Sequence, residues 1–388
     1  MKRSVCGIKI IGLLIFFFVV VACEKMPVYY GQDSRKVYDV LEAYYNDQVT
    51  VNEYTIKENV SVFSFSDGSV AGFDIRSISI VSIDVFGYWL NNGERTDVVL
   101  EKPGREIVPI GDDLRRLYGI VEGFTDWTFV FGGGSEIKLK KTLFAYDPDA
   151  SIRGVNHRGF CTEAPENTLP AYRLSRLRGF RYVEADIQFT ADNVPVLIHD
   201  STVDRTSDGK GNVRNMTWNQ LQNLDFGSRL FPEFAGTRIP SLAAFLDLCS
   251  QIHLRPYLEL KTGSRQQIES IVELVNEFSM KSKVIYVSFN PGLLQSVLEF
   301  DKTAEVGLLT NTVSTSVIQN ALSLNTGHNR FFVNSSDYSD YAVSLCRSAS
   351  IPLEVWTINS RSTILSLPKY ITGVASDFLH AGRVLSEK

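Results

Sequence analysis

The chain has 388 residues, enough for one large domain or two and for a substantial core. Its formal net charge is −5, with 39 Lys and Arg set against 44 Asp and Glu, which leaves no basis for a nucleic-acid surface built on clustered bases. An anionic substrate must therefore meet positive charge assembled locally, from a metal and a few bases.

Taken in chain order, the first element is a targeting segment. Lys2, Arg3 and Lys9 precede an apolar run over residues 10–22 that ends in small residues before Cys23. The run is short for a membrane span and suits a signal-peptide core, so residues 1–22 are expected to leave the mature chain; a short membrane anchor is the bland alternative. Val20-Val21-Ala22-Cys23 resembles the lipobox of bacterial lipoproteins. That resemblance implies cleavage before Cys23, lipidation of Cys23 by several acyl chains, and stable attachment to a membrane of the bacterial cell envelope, facing the periplasm or the cell surface. Of the other cysteines, Cys161, Cys249 and Cys346 remain after cleavage, an odd number without metal-ligand spacing. At most one disulfide is expected, and Cys161 reads first as a buried or neighbouring thiol.

Residues 24–150 read as a small, mostly β accessory domain. Residues 36–45 have the spacing of a short helix, with Val37, Val40, Leu41 and Tyr44 on one face. Beyond it Val60, Val62, Val70, Phe73, Ile80 and Ile83 alternate with polar residues or fall in β-branched runs, and Asp67-Gly68 and Asn92-Gly93 are hairpin-turn pairs. Phe129, Phe131, Ile137 and Leu139 flank Gly132-Gly133-Gly134, which suggests another hairpin. Gly87 to Thr96 resembles a pattern in the N-terminal regions of Bacteroidetes surface lipoproteins. Trp89 and Trp127 read first as core residues and second as a glycan-binding face, which leaves a glycan or a protein as a partner class open to this domain. The boundary is expected in or just after Asp147-Pro148-Asp149.

From Ser151 to Lys388 short apolar runs alternate with helical stretches, the rhythm of a parallel α/β architecture. Strands are expected at residues 153–157, 182–187, 195–199, 256–260, 284–289, 305–309, 330–334, 353–358 and 373–375. Helices are expected at 169–178, 242–251, 266–278, 291–299 and 341–349. The length and rhythm suit a (β/α)8 TIM barrel. Nine extended runs are one too many for eight barrel strands. The stretch between Ile187 and Pro195 is also too short for a crossover helix, so one segment departs from simple barrel geometry.

In such a barrel functional residues gather at the C-terminal strand ends. His157 ends the first strand and His199 ends its own run, which is informative in a chain with five histidines. Glu184 and Asp186 lie two apart on the second strand and so face one side. Joined by Glu259, they make an oxygen-only site for one divalent cation, Mg²⁺ or Ca²⁺. Lys261 follows Glu259, Trp356 lies near a later strand end, and Asp377 follows the last. Singly, each has a bland reading: a solvated E-x-D pair, a satisfied histidine, a lysine neutralising a buried acid, a core tryptophan. Their agreement in order and strand context points to a metal site with two acid–base groups.

Residues 151–388 resemble the glycerophosphodiester phosphodiesterase family. The matching text is His157-Arg158-Gly159, Pro165-Glu166-Asn167-Thr168, Glu184-Ala185-Asp186, His199-Asp200, Asp204-Arg205-Thr206, Ile239-Pro240-Ser241-Leu242, Glu259-Leu260-Lys261, Trp356-Thr357-Ile358-Asn359 and Ser376-Asp377. The resemblance implies hydrolysis of a glycerophosphodiester to an alcohol and glycerol phosphate. It makes Glu184, Asp186 and Glu259 the metal ligands, His157 and His199 the acid–base pair, and Arg158 and Lys261 the phosphate contacts. Trp356 would offer an apolar wall to the glycerol carbons. The attacker is either water or the neighbouring glycerol hydroxyl, and the two histidines can exchange roles. Two rivals stand beside this reading. One is a phospholipase acting on intact lipids, which a hydrophobic collar of Phe226, Leu230, Phe231 and Phe234 would favour. The other is a surface binding lipoprotein with a vestigial barrel.

Overall fold

The computed structural model describes residues 152–324, 329–336 and 338–386, and before them strands and short segments between residues 28 and 140. The signal segment 1–22, the lipidation site Cys23, the boundary at 147–149, Gly132-Gly133-Gly134 and the Asn92-Gly93 pair lie outside the described residues. So does most of the helix expected over 36–45, of which residues 41–43 are helical.

Ten strands precede the barrel: Val28–Tyr30 (β1), Val51–Lys57 (β2), Val60–Phe65 (β3), Val70–Asp74 (β4), Ser79–Ile83 (β5), Tyr88–Asn91 (β6), Glu94–Val99 (β7), Leu117–Glu122 (β8), Asp126–Phe131 (β9) and Glu136–Lys140 (β10). They form a four-stranded sheet, β1-β4-β3-β2, and a six-stranded sheet, β10-β9-β8-β5-β6-β7. The β3–β4 hairpin turns at Asp67-Gly68, where Gly68 takes φ +79°, as the sequence predicts. Trp127 is 2% exposed and packs between Tyr54 and Phe63, so it belongs to the core rather than to a glycan-binding face. Of Trp89 only the backbone, in β6, is described.

The second half is a closed barrel. Arg153–Asn156 (β11), Tyr182–Phe189 (β12), Arg255–Leu260 (β14), Ile285–Ser288 (β15), Glu305–Thr310 (β16), Asn329–Asn334 (β17), Leu353–Trp356 (β18) and Ile371–Ser376 (β19) pair in parallel, and β11 closes the ring by pairing both β12 and β19. The ninth run, Pro195–Leu197 (β13), is the one that departs: it folds back antiparallel on β12, with Ile187 opposite Leu197. All five expected helices are present within a residue or so of their predicted bounds, from Leu169–Leu177 to Asp340–Ser348. The sequence reading missed the helices Thr315–Ser323, Arg361–Ser366 and Ala381–Ser386, and a short turn of helix at Trp218–Leu221.

Alternation along the strands sorts the side chains. On β12, Val183, Ala185 and Ile187 join the core beneath the outer helices, while Glu184 and Asp186 turn into the barrel. The strand starts carry a polar floor. Arg330 Nη1 lies 3.0 Å from Glu354 Oε1 and also pairs with Glu305, Arg153 Nη1 lies 3.5 Å from Glu305 Oε1, and the Tyr257 hydroxyl donates to Glu354 Oε2 at 3.1 Å. Above it Val155, Tyr257, Val287, Leu309 and Phe332 form an apolar layer inside the ring. The functional residues sit above that layer, at the C-terminal strand ends. No helix among the described residues is long and apolar enough to cross a membrane.

Candidate active site

A cavity of about 170 Å³ opens at the C-terminal end of the barrel and takes in His157, Arg158, Glu184, His199, Glu259, Lys261 and Trp356. The sequence prediction therefore converges: all these residues, with Asp186 beside them, meet at one mouth. Parallel pairing of β12 with β14 sets Asp186 directly opposite Glu259. With Glu184 two residues earlier on the same face, one oxygen from each of the three acids lies within 4.8 Å of the others.

The acids are buried, and their surroundings treat them unequally. Asp186, fully buried, accepts from Asn167 Nδ2 at 2.7 Å and lies 2.9 Å from Lys261 Nζ. Burial pushes its pKa up, but Lys261, Arg158 and His199 together outweigh burial and hold it below the usual carboxylate range. Burial, and then the charges of Asp186 and Glu259, push Glu184 well above the usual range. Burial and Asp186 raise Glu259 to about 7 against the pull of Lys261, 2.7 Å away. Three carboxylates this close resist full ionisation unless more positive charge arrives. Glu184 Oε1 has no hydrogen-bond partner among the described residues, and a buried carboxylate oxygen left so is costly. These observations fit a hard divalent cation: an all-oxygen donor set, an orphaned ligand atom and surplus negative charge.

Each histidine has its own aspartate. His157 Nδ1 is 2.8 Å from Asp377 Oδ1, and His199 Nδ1 is 2.8 Å from Asp200 Oδ1. Asp377 is fixed in turn by Asn359, whose Nδ2 donates to Oδ2 at 2.6 Å and whose Oδ1 accepts the Asp377 backbone N–H. Burial raises Asp377, yet its hydrogen bonds to His157 and Asn359 bring it below its ordinary value. An ionised aspartate on Nδ1 leaves each Nε2 for chemistry. His157 Nε2 lies 4.0 Å from Glu184 Oε2, beside the acid triad. Burial lowers the pKa of His199, against the pull of Asp186 and Asp200. Gln188, two residues beyond Asp186 on the same strand face, donates to the backbone carbonyls of Ile198, His199 and Asp200 and so pins the loop that presents His199.

Arg158 Nη1 holds Glu166 Oε1 at 3.2 Å, Nε approaches Asp186, and its backbone N–H donates to Glu184 Oε2 at 3.0 Å. Arg158 and Lys261 thus stand at the rim of the acid triad. Trp356 meets Phe289 edge-on, with ring centroids 5.6 Å apart, on the apolar side of the cavity. The profile of the Glycerophosphoryl diester phosphodiesterase family matches residues 157–381, from the first histidine to the helix after β19. The chain belongs to this family.

Relatives agree with the family assignment. The chain is 34% identical over 158 residues to a glycerophosphodiester phosphodiesterase of Caldanaerobacter subterraneus, covering 40% of this chain and 65% of that protein. It is 33% identical over 165 residues to human glycerophosphodiester phosphodiesterase 1, covering 42% and 50%. The chain thus spans about half the length of the first curated relatives it matches. Among solved structures, an Oleispira antarctica phosphodiesterase in complex with the product sn-glycerol-3-phosphate superposes with a TM-score of 0.55 at 26% identity, over 61% of this chain and 96% of that one. A Parabacteroides distasonis glycerophosphodiester phosphodiesterase, 18% identical with a TM-score of 0.51 over 61% and 98%, shares the fold.

Sequence reasoning gave no role to Asp377, Asp200, Glu166, Asn167 and Asn359, although each lies inside a matched family motif, and it missed Gln188 and Phe289. For Gln188 the signal was the E-x-D pattern continuing one more step on the same strand face. The hydrophobic collar of Phe226, Leu230, Phe231 and Phe234 that would favour the phospholipase reading is not seen at the cavity. Phe226 and Phe234 are buried and Phe231 packs against an inner cluster with Phe160 and Phe180. Only Leu230 is exposed, and none of the four lines the cavity. Cys161, Cys249 and Cys346 are free thiols, and burial pushes the Cys161 thiol up to about 12.

Proposed function

We propose that this protein is a divalent-cation-dependent glycerophosphodiester phosphodiesterase that releases glycerol 3-phosphate and an alcohol. The observation that carries the reading is the single cavity in which a buried acid triad lies between two histidine–aspartate pairs. Glu184, Asp186 and Glu259 would hold one cation, Mg²⁺ or Ca²⁺, which when bound supplies Lewis-acid polarisation and charge to offset that of the transition state.

With a divalent cation bound and all three carboxylates ionised, Arg158 and Lys261 would bring the formal charge of this set to one positive, the complement of a phosphodiester monoanion. Arg158 and Lys261 orient the phosphoryl oxygens by charge-assisted hydrogen bonds. His157 takes the proton of the attacking oxygen at Nε2, and Asp377 stabilises the imidazolium that results. His199 gives its proton to the departing alcohol; burial makes its imidazolium a stronger acid, which suits donation to a poor leaving group. Trp356 and Phe289 wall the glycerol carbons and exclude water from that side. Upstream, residues 1–22 direct export and Cys23 carries the lipid, which holds the barrel at a membrane of the cell envelope.

The test is glycerol 3-phosphate release from glycerophosphocholine, glycerophosphoethanolamine and glycerophosphoinositol by residues 24–388, with Mg²⁺, Ca²⁺ or EDTA. Cation-dependent release that His199→Ala abolishes is the expected result and ranks the head groups. Folded protein that releases nothing from any of the three overturns the reading.

A further inference from the structure

One motif of the matched text has no place in the chemistry above: Asp204-Arg205-Thr206, in the segment after β13. Arg205 is half-exposed, yet all three of its guanidinium nitrogens are engaged. Nε donates to Asp200 Oδ2 at 2.7 Å and Nη2 to Asp200 Oδ1 at 3.2 Å. On its other edge Nη1 donates to Glu166 Oε2 at 2.7 Å and Nη2 to Glu166 Oε1 at 2.8 Å. Asp200 Oδ1 is the atom that meets His199 Nδ1, and Glu166 Oε1 is the atom that meets Arg158 Nη1. A continuous chain therefore runs His199–Asp200–Arg205–Glu166–Arg158, from the acid–base group to the phosphate contact, across two loops that share no strand.

We propose that Arg205 is a positioning residue for the hydrolysis proposed above: it ties Asp200, and through it the His199 imidazole, to Glu166 and Arg158, so that proton transfer and phosphate contact keep one register. The inference rests on that reading of the site. An aspartate held by an arginine fork stays ionised and can only accept, which fixes hydrogen on His199 Nδ1 and leaves Nε2 for the cavity. The planar fork is what allows one side chain to grip two carboxylates at once; a lysine offers a single point of charge and cannot reproduce it. Glu166 is only 14% exposed and the fork is bidentate on both carboxylates, so removing Arg205 also costs some stability, and a structural role alone predicts turnover that falls only as far as folding does. A positioning role predicts a large effect on turnover, since a small misplacement of a reacting group is enough to slow chemistry severely.

The experiment compares wild type, Arg205→Ala, Arg205→Lys, Asp200→Ala and the double variant in the full chain, purified in detergent, with glycerophosphocholine as substrate. Arg265→Ala, which removes an exposed ion pair to Glu299 on an outer helix, controls for loss of a surface arginine. For Arg205→Ala the expected result is kcat lower by roughly ten- to a hundredfold and KM within about threefold, in a variant that is still fully folded at the assay temperature. Arg205→Lys should fall between. In the Asp200→Ala background, Arg205→Ala should cost less than about threefold, because both substitutions break one chain. Wild-type kcat in Arg205→Ala, a loss fully accounted for by unfolding at the assay temperature, or independent losses in the double variant each overturn the proposal. A readout free of turnover is the histidine ¹⁵N spectrum. His199 signals that move in Arg205→Ala while those of His157 stay support the coupling, and unmoved His199 signals overturn it. If wild type cleaves no diester, the functional reading fails and the spectrum alone decides the role of Arg205.

Discussion

Two histidines show how the same residue type serves opposite ends. In the proposed mechanism His157 depends on Asp377, which holds Nδ1 at 2.8 Å and is itself held by Asn359. Asp377→Asn keeps the shape but can present its amide to Nδ1, selecting the wrong tautomer and removing the charge that stabilises the imidazolium. We expect kcat to fall on the order of a hundredfold or more with little change in KM, and steady-state kinetics beside a melting curve check it. His380 is buried and does not line the cavity. It lies beneath β11 with its ring against Gly154 and 4.8 Å from the ring of Phe180, and burial lowers its pKa to about 4. The unfolded chain binds this proton near pH 6.5 and the folded chain resists it, so stability is full above about pH 6.5 and drains away as pH falls toward 4. The linkage is on the order of 3 kcal/mol. Urea unfolding of wild type and His380→Phe between pH 4 and 7 should show a shallower acid loss in the variant. Parallel curves would mean that His380 is not the group responsible.

At the scale of elements, what was legible followed from local pattern, and what was missed depended on partners far along the chain. The eight parallel strands announce themselves as short apolar runs with polar residues at their C-terminal ends, and the acid triad follows because Glu184 and Asp186 share a strand face. The chain count alone could not say that β13 is the odd strand: Pro195–Leu197 is as apolar as its neighbours, and only its pairing with Phe189, Gln188 and Ile187 reverses it. The helix Thr315–Ser323 escaped because it buries just Ile318 and Ala321, too thin a stripe against its many Ser, Thr and Asn residues. Arg205 escaped for a third reason. Its meaning lies in Glu166, 39 residues away, and no periodicity reports a contact between loops. The barrel floor shows the same dependence on remote partners. A Cβ on Gly373 of β19 would strike the carboxylate of Glu354, itself buried and held by Arg330 and Tyr257. Since Glu354 cannot swing away without leaving Arg330 uncompensated, Gly373→Ala should destabilise by about 1–3 kcal/mol, the range for overpacking a well-filled interior. Chemical denaturation measures it, and a neutral result would show the floor to be more compliant than its ion pairs imply.

For the whole molecule, the question is whether the two halves need each other. Among the described residues, the aromatic cluster around Phe63, Trp127 and Phe129 draws only on residues before 140, and the barrel clusters draw only on residues from 152 onward. The eight parallel strands close on themselves through β11, and the one strand outside the ring, β13, pairs with β12 and bridges Val196 to Ser241 within the same half. Every side chain assigned to the reaction or to its support lies between Asn156 and Asp377. Residues 151–388 alone should therefore fold in one cooperative transition and keep kcat/KM for a soluble diester within about threefold of the longer chain. The upstream half would then act by placement rather than by chemistry, with Cys23 as its attachment point. Cys23→Ser in cells should move the protein from the membrane fraction to the soluble fraction while the purified variant keeps its turnover. A barrel fragment that aggregates, or that folds but loses activity, would instead make the β sheets part of the catalytic unit, and the separation of roles argued from the two cores would fail.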